Sequence, residues 1–194
     1  MARQGPLLAA LVGLLCLSVA QARKAGPTAL KFPSLTSCSQ NADATTFRIS
    51  TNVTKSMPGQ TYCFTFGTAA PANATLPCGK ATVLERVQLW ASHEDRRKIS
   101  MIRIREPSGD KVIYGSWTRK AAGYADEIVF SKLQWTPEYI KTVNPRLCLT
   151  LAADTTLDDI CLGTAGLCTF GLYSVGANGA KCCPVYDVPA KVAA

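Results

Sequence analysis

Short runs in which apolar and polar residues alternate dominate this chain, and clusters of Gly, Pro, Asn and Asp separate them. Alternation with a period of two sends successive side chains to opposite faces of an extended strand, so each run predicts a strand with one face on a core. Residues 46–53 put Phe47 and Ile49 on one face and lead into a turn over 55–59 that holds Met57, Pro58 and Gly59. Residues 61–66 set Tyr62, Phe64 and Phe66 against Cys63 and Thr65, and a Pro-containing loop follows over 71–79. Residues 83–90 alternate Val83, Val87 and Leu89 with Arg86 and Gln88, although Glu85 breaks the pattern.

Residues 99–105 place Ile102 and Ile104 opposite Arg103 and Arg105, and Pro107-Ser108-Gly109-Asp110 turns the chain into a partner strand over 111–117. Residues 127–135 carry Val129, Leu133 and Trp135 at alternate positions. Residues 147–152 carry Leu147, Leu149 and Leu151 against Cys148 and Thr150, and 167–175 return to strand character. One short helical turn is expected over 156–162, capped by Thr156 with Asp158 and Asp159 in its first turn. About eight strands at spacings near a dozen residues predict an all-β, antiparallel sandwich-like domain. The prolines are scattered, so no rod-like Pro tract is present.

The first 22 residues read as an address and not as part of the fold. Arg3 precedes an uncharged apolar run over 7–19, and Ala20-Gln21-Ala22 supplies small residues for cleavage after Ala22. That run is shorter than the roughly 20 residues of a membrane-spanning helix, so no membrane association is expected after cleavage. The chain then divides into a signal peptide (1–22), a polar lead-in (23–31), one folded domain (32–187) and a short tail (188–194) expected to fray.

Export changes the meaning of the cysteines. Cys16 leaves with the leader, so eight of the nine remain: Cys38, Cys63, Cys78, Cys148, Cys161, Cys168, Cys182 and Cys183. An even set in an oxidising compartment predicts about four disulfides, with a connectivity that spacing cannot choose. Cys182 and Cys183 are expected to pair with different distant partners, because neighbouring side chains seldom reach disulfide geometry. Zinc is not expected, since His93 is the one histidine and no C-x-x-C pair occurs in the exported part. Asn52-Val53-Thr54 and Asn73-Ala74-Thr75 both fit the N-glycan acceptor rule and mark Asn52 and Asn73 as glycosylation candidates.

The formal net charge is +8, of which only Arg3 lies in the leader. A positive exported domain attracts acidic partners such as sulfated or uronic polysaccharide, and export argues against nucleic acid. Arg96, Arg97, Lys98, Arg103 and Arg105 are the candidate contacts, where planar guanidinium forks along one strand face pair with sulfate or carboxylate. The alternative is an ordinary solvated face. Trp90 shares the Arg86 and Gln88 parity and is the expected exposed stacking platform, whereas Trp135 shares the core parity of Val129 and Leu133.

No catalytic signature accompanies these features. His93-Glu94-Asp95 does not make H-E-x-x-H, no serine sits in G-x-S-x-G, and Gly79-Lys80-Ala81 is no phosphate loop. Asp126-Glu127 and Asp158-Asp159 suit turns and helix starts. No enzyme activity and no cofactor are therefore expected, an extracellular hydrolase built on a distant carboxylate pair being the least favoured alternative.

Phe32-Pro33 before Cys38, Phe47-Arg48-Ile49-Ser50, Tyr62-Cys63-Phe64 and Cys148-Leu149-Thr150-Leu151 together resemble the pherophorin domain. So does the closing part: Ile160-Cys161, Gly166-Leu167-Cys168-Thr169-Phe170 and Cys182-Cys183-Pro184. The resemblance runs from about Phe32 to Asp187 and implies an extracellular matrix glycoprotein of the volvocine green algal type. Two departures stand out: a second cysteine close to Cys38 and another ahead of the basic strand are missing, as is a hydroxyproline-type rod. The implied role is a lone matrix module that associates with acidic polysaccharide or other matrix glycoproteins. A soluble secreted signalling or stress-induced factor is the alternative. Alkylation and intact-mass analysis of the secreted protein is expected to show no free thiol; a reactive cysteine among the eight would overturn the disulfide reading.

Overall fold

Eleven strands occur among the described residues, most of them where the alternation predicts extended chain. They are β1 (Phe47–Ser56), β2 (Gln60–Thr68), β3 (Leu84–Trp90), β4 (Ile99–Glu106), β5 (Gly109–Val112) and β6 (Ser116–Thr118). The rest are β7 (Glu127–Phe130), β8 (Arg146–Leu151), β9 (Leu167–Val175), β10 (Lys181–Cys182) and β11 (Val185–Pro189), with one helix, α1 (Pro137–Val143). The computed structural model describes residues 31–33, 37–56, 60–118 and 124–191. The expected leader, most of the lead-in and the turn tip Met57-Pro58-Gly59 lie outside the described residues.

Two antiparallel sheets result. The first has the order β1-β2-β8-β4-β5, and the second β10-β9-β3-β7-β6 with β11 also paired to β9. Phe47, Phe64, Phe66, Leu147, Leu149 and Ile104 of the first sheet and Leu84, Leu89, Ile128, Phe130, Phe170 and Leu172 of the second share one core cluster. The rings of Phe64 and Phe170 meet across it at 4.7 Å between centroids. Fully burying one such side chain contributes about 1.5–3 kcal/mol, which is large beside a net stability of about 5–15 kcal/mol. This is the expected all-β sandwich.

Where the pattern was imperfect, a local device accounts for it. Glu85 breaks alternation because the register of β3 against β9 shifts between Leu84 and Arg86, a bulge that lets Leu84, Val87 and Leu89 all turn inward. The strand expected over 111–117 is split between the sheets. Its β5 half pairs with β4 and its β6 half with β7, and residues 113–115 cross between them. Gly115 passes so close to Ile128 that a Cβ there would stand 2.5 Å from Ile128 Cδ1. The strand expected over 127–135 ends at Phe130, since Lys132 and Gln134 adopt left-handed φ values of 62° and 54°. Trp135 nevertheless rejoins by a two-way backbone bond to Leu84 and is buried in the core, but not by the expected parity. Val129 pairs with Gln88 on the outward face while Ile128 and Phe130 turn inward, and the left-handed residues break the alternation before Trp135.

Helix α1 was not expected, although its signals are local. Thr136 caps it by accepting from the Tyr139 amide at 3.1 Å, Pro137 opens it, and Asn144 closes it in left-handed conformation. With seven residues it offers too few positions to establish a helical period. The expected turn after Thr156 does form, over Leu157–Asp159, with the Asp159 carboxylate closing a capping box on Thr156. The tail does not fray at Asp187. Strand β11 runs to Pro189, Val188 is buried, and the Ala190 amide bonds Gly166 O at 2.9 Å.

Four disulfides join Cys38 to Cys183, Cys63 to Cys148, Cys78 to Cys182 and Cys161 to Cys168. The adjacent cysteines pair apart, as expected. Together they bind the N-terminal segment and the 3-10 turn Pro77–Lys80 to the chain between β10 and β11. Around Cys38 the backbone adds to the second sheet, with Ser39 N to Lys181 O at 3.0 Å and Cys183 N to Ser39 O at 2.8 Å.

Loop-closure entropy ranks these bridges. Cys38–Cys183 spans 145 residues and Cys161–Cys168 spans 7. Replacing the long-range pair by alanines should therefore cost about 2–3 kcal/mol more than replacing the short one. Denaturant unfolding of the two double variants checks this, and equal losses would contradict it.

Candidate functional site

Because one face of the first sheet is committed to the core, its outward face is dictated by the same alternation. That face carries Met101, Arg103 and Arg105 on β4, Asp110 and Val112 on β5, and Arg146, Cys148 and Thr150 on β8. Thr61, Cys63, Thr65 and Gly67 of β2 and Arg48, Thr54 and Ser56 of β1 lie on the same face, Arg48 being paired with Asp43 at 3.6 Å. The Cys63–Cys148 disulfide joins directly opposed residues at its middle, and the Thr61 and Thr150 hydroxyls pair beside it at 2.9 Å.

The charge on this face is concentrated at one end. Arg105 donates Nε to Asp110 Oδ1 at 3.0 Å and Nη2 to Asp110 Oδ2 at 3.1 Å, a two-bonded fork. Arg103 Nη1 donates to the same Oδ2 at 3.0 Å. Arg146 stands directly across from Arg105 in the ladder. On the β8-β4-β5 part of the face, among the described residues, three guanidinium groups thus stand with a single carboxylate. Hydrogen bonds from Arg105 and then Arg103 hold the Asp110 carboxyl below its usual range.

The other expected contacts are elsewhere. Arg96, Arg97 and Lys98 lie in the 3-10 turn His93–Lys98 and not on a strand, so the five candidate cations do not form one strand face. Ser92 caps that turn, Arg96 bonds the His93 carbonyl at 3.1 Å, and Lys98 pairs with Asp95 at 2.9 Å. Arg97 stays exposed.

Trp90 is not the exposed platform its parity suggested. Phe32 stacks on it at 5.7 Å and 11° between planes, and its indole Nε1 is enclosed with no hydrogen-bond partner among the described residues. The reason is tertiary. Residues 31–33 cross the outer face of the second sheet, with Ala125 N bonded to Lys31 O and Gln40 Nε2 to Phe32 O. Beneath this strap Gln88 and Glu127 are buried and bonded to each other at 3.1 Å. Trp117 is half-buried and meets His93 edge-on. The aromatic ring most open to solvent among the described residues is Tyr114, at 92% exposure, which sequence reasoning did not single out.

A family model described as Pherophorin matches residues 32–184, most of the chain. The chain belongs to the pherophorin family. No curated protein matches it. Pherophorins are structural glycoproteins of extracellular matrix, which agrees with a disulfide-rich β domain. The matched span contains all eight disulfide cysteines and begins at Phe32, the residue that covers Trp90.

In this pherophorin domain both glycan candidates are exposed. Asn52 stands inside β1 and not in a turn, where the β1 register against β2 shifts between Ile49 and Val53. Asn73 lies in the loop before the Pro77–Lys80 turn, and its Oδ1 accepts from Thr75 Oγ1 at 2.6 Å and Thr75 N at 2.9 Å. That Asx-type turn leaves the Asn73 amide nitrogen clear of these bonds. Among the described residues no cluster of His, Cys, Asp and Glu could hold a metal ion, and no helix is long and apolar enough to cross a membrane.

The Asp110 pairing carries a pH signature. A carboxyl with a folded pKa below its unfolded value stabilises above the unfolded value, near 3.9, and that stabilisation is lost as pH falls through the folded value. Asp110→Asn should lower stability at pH 7 by no more than about 1 kcal/mol, given solvent screening. The difference from wild type should shrink as pH falls below the unfolded carboxyl value and vanish once pH has passed below the depressed folded one. Urea midpoints of both proteins across this range test it; a difference that persists in acid rules out the ion pair as its source.

Proposed function

We propose that this pherophorin domain is a secreted matrix glycoprotein module that holds acidic polysaccharide, sulfated or uronic, on the outward face of its first sheet. Other matrix glycoproteins carrying such chains are partners of the same class. The observation that carries this reading is the unequal charge on the β8-β4-β5 part of that face: Arg103, Arg105 and Arg146 against Asp110 among the described residues. Guanidinium suits the task because its planar fork matches carboxylate and sulfate oxygens and stays charged at all relevant pH. Secretion is supported by four buried or half-buried disulfides, which form and persist in oxidising compartments. N-glycans at Asn52 and Asn73 belong to the same reading.

Exposed ion pairs contribute little to folding, so reversing these charges should leave the fold intact. Wild-type protein should be retained on a sulfated-polysaccharide column and released by salt, because the attraction is screened over about 10 Å at 0.1 M. The double variant Arg103→Glu, Arg105→Glu should pass unretained. Elution of both proteins at the same salt concentration would defeat the assignment of this face.

A further inference from the structure

The outward face of the first sheet is not flat. Strands β2 and β8 separate β1 from β4, yet Arg105 Nη1 lies 3.4 Å from Ser56 Oγ on β1. The sheet therefore curls its β1 end toward its β4 end, and the outward face becomes a trough. Cys63 and Cys148 point into it by parity but are essentially inaccessible, so their disulfide forms the floor below taller flanking side chains. Hydroxyls line it as well: Thr61 and Thr150 pair on the floor, and Ser100 bonds the Thr150 carbonyl at the margin.

Tyr114 belongs to this face. The Ile113 amide bonds Ile102 O at 3.0 Å, which continues the β4–β5 ladder by one residue and sets Tyr114 opposite Met101. Counting outward positions along this edge gives Asp110, Val112 and Tyr114, with Met101 and Val112 also exposed. The crossing at Gly115, tight against Ile128, turns the chain away immediately afterwards and leaves the ring standing clear. At a rise of about 3.3 Å per residue, Tyr114 and Asp110 are roughly 13 Å apart along the edge, more than the length of one sugar ring.

An aromatic ring and floor hydroxyls at one level of the trough, with a guanidinium cluster further along the strands, match the three chemistries of an anionic polysaccharide. These are the apolar C–H face of a pyranose, its hydroxyls and its charged substituent. Resting on the function proposed above, we infer that Tyr114 is a stacking residue for a pyranose ring of an acidic polysaccharide lying along this trough. Arg103, Arg105 and Arg146 take the sulfate or carboxylate of a neighbouring unit. Asp110 is the built-in competitor for that group, because it occupies the Arg105 fork and one arm of Arg103.

The test is affinity electrophoresis of the secreted, disulfide-bonded protein in gels containing dextran sulfate, polygalacturonate or, as a polyanion without sugar rings, polyphosphate. Tyr114→Ala should weaken binding to at least one of the two polysaccharides about five- to tenfold and leave polyphosphate binding unchanged. Tyr114→Phe should restore polysaccharide binding to within about twofold, since stacking needs the ring and not the hydroxyl. Asp110→Asn should strengthen binding to all three. Preference for dextran sulfate identifies sulfate as the group read, and preference for polygalacturonate identifies carboxylate. If Tyr114→Ala binds both polysaccharides like wild type, or loses polyphosphate equally, the stacking role is wrong while the charged face stands. If the Arg103→Glu, Arg105→Glu protein still binds like wild type, it is the charged face that fails.

Discussion

Phe64 of β2 and Phe170 of β9 press together between the sheets, and this contact sets the constraint under which the other residues are placed. Strand side chains alternate strictly, so turning Phe64, Leu147, Leu149 and Ile104 inward forces Cys63, Arg146, Cys148 and Arg103 outward. The charged face is thus the complement of the core. A one-residue slip in β4 would bury its arginines and expose its isoleucines, an outcome the apolar contacts of Ile102 and Ile104 prohibit.

Burial alone does not secure the ends of this sandwich. Strand β10 is two residues long, and the segment around Cys38 adds only a short run of backbone bonds beside it. Cys182 and Cys183 compensate by reaching in two directions, one to the N-terminal segment and one to the turn at Cys78. Gly176 belongs to the same junction, because a side chain there would collide with the Pro77 carbonyl. The bridge at Cys63–Cys148 is different in kind. It ties β2 to β8 at the centre of the sheet and lies, essentially inaccessible, at the base of the outward face.

Charge on that surface is arranged and not merely abundant. A single carboxylate holds two guanidinium groups in fixed orientation and leaves a third across the strand. Orientation limits the side-chain entropy lost on binding an anion, while incomplete neutralisation keeps the face attractive to one. The second sheet shows the opposite solution. Its outward polar residues Gln88 and Glu127 are paired with each other, and Phe32 stacks on Trp90 and leaves it half-buried. Residues 31–33 thus cover part of the second sheet's outward face.

Local spacing was enough to read the strands of the core, the capped turn at Thr156 and the separate pairing of Cys182 and Cys183. Each depends on residues near in sequence: period-two alternation, a capping pair three residues apart, or the poor geometry of neighbouring cysteines. The family was legible too, since its motifs are short and contiguous. What only the tertiary structure decided depends on how strands and segments meet. Phe32 covers Trp90 from 58 positions away in the chain. Asp110 claims Arg103 and Arg105, and the crossing at Gly115 divides one apparent strand between two sheets and leaves Tyr114 in water. Alternation states which side of a strand a residue takes, but it carries no information about what lies over that side. Cover, counter-charge and curvature arise only when strands and segments meet in the folded sheets.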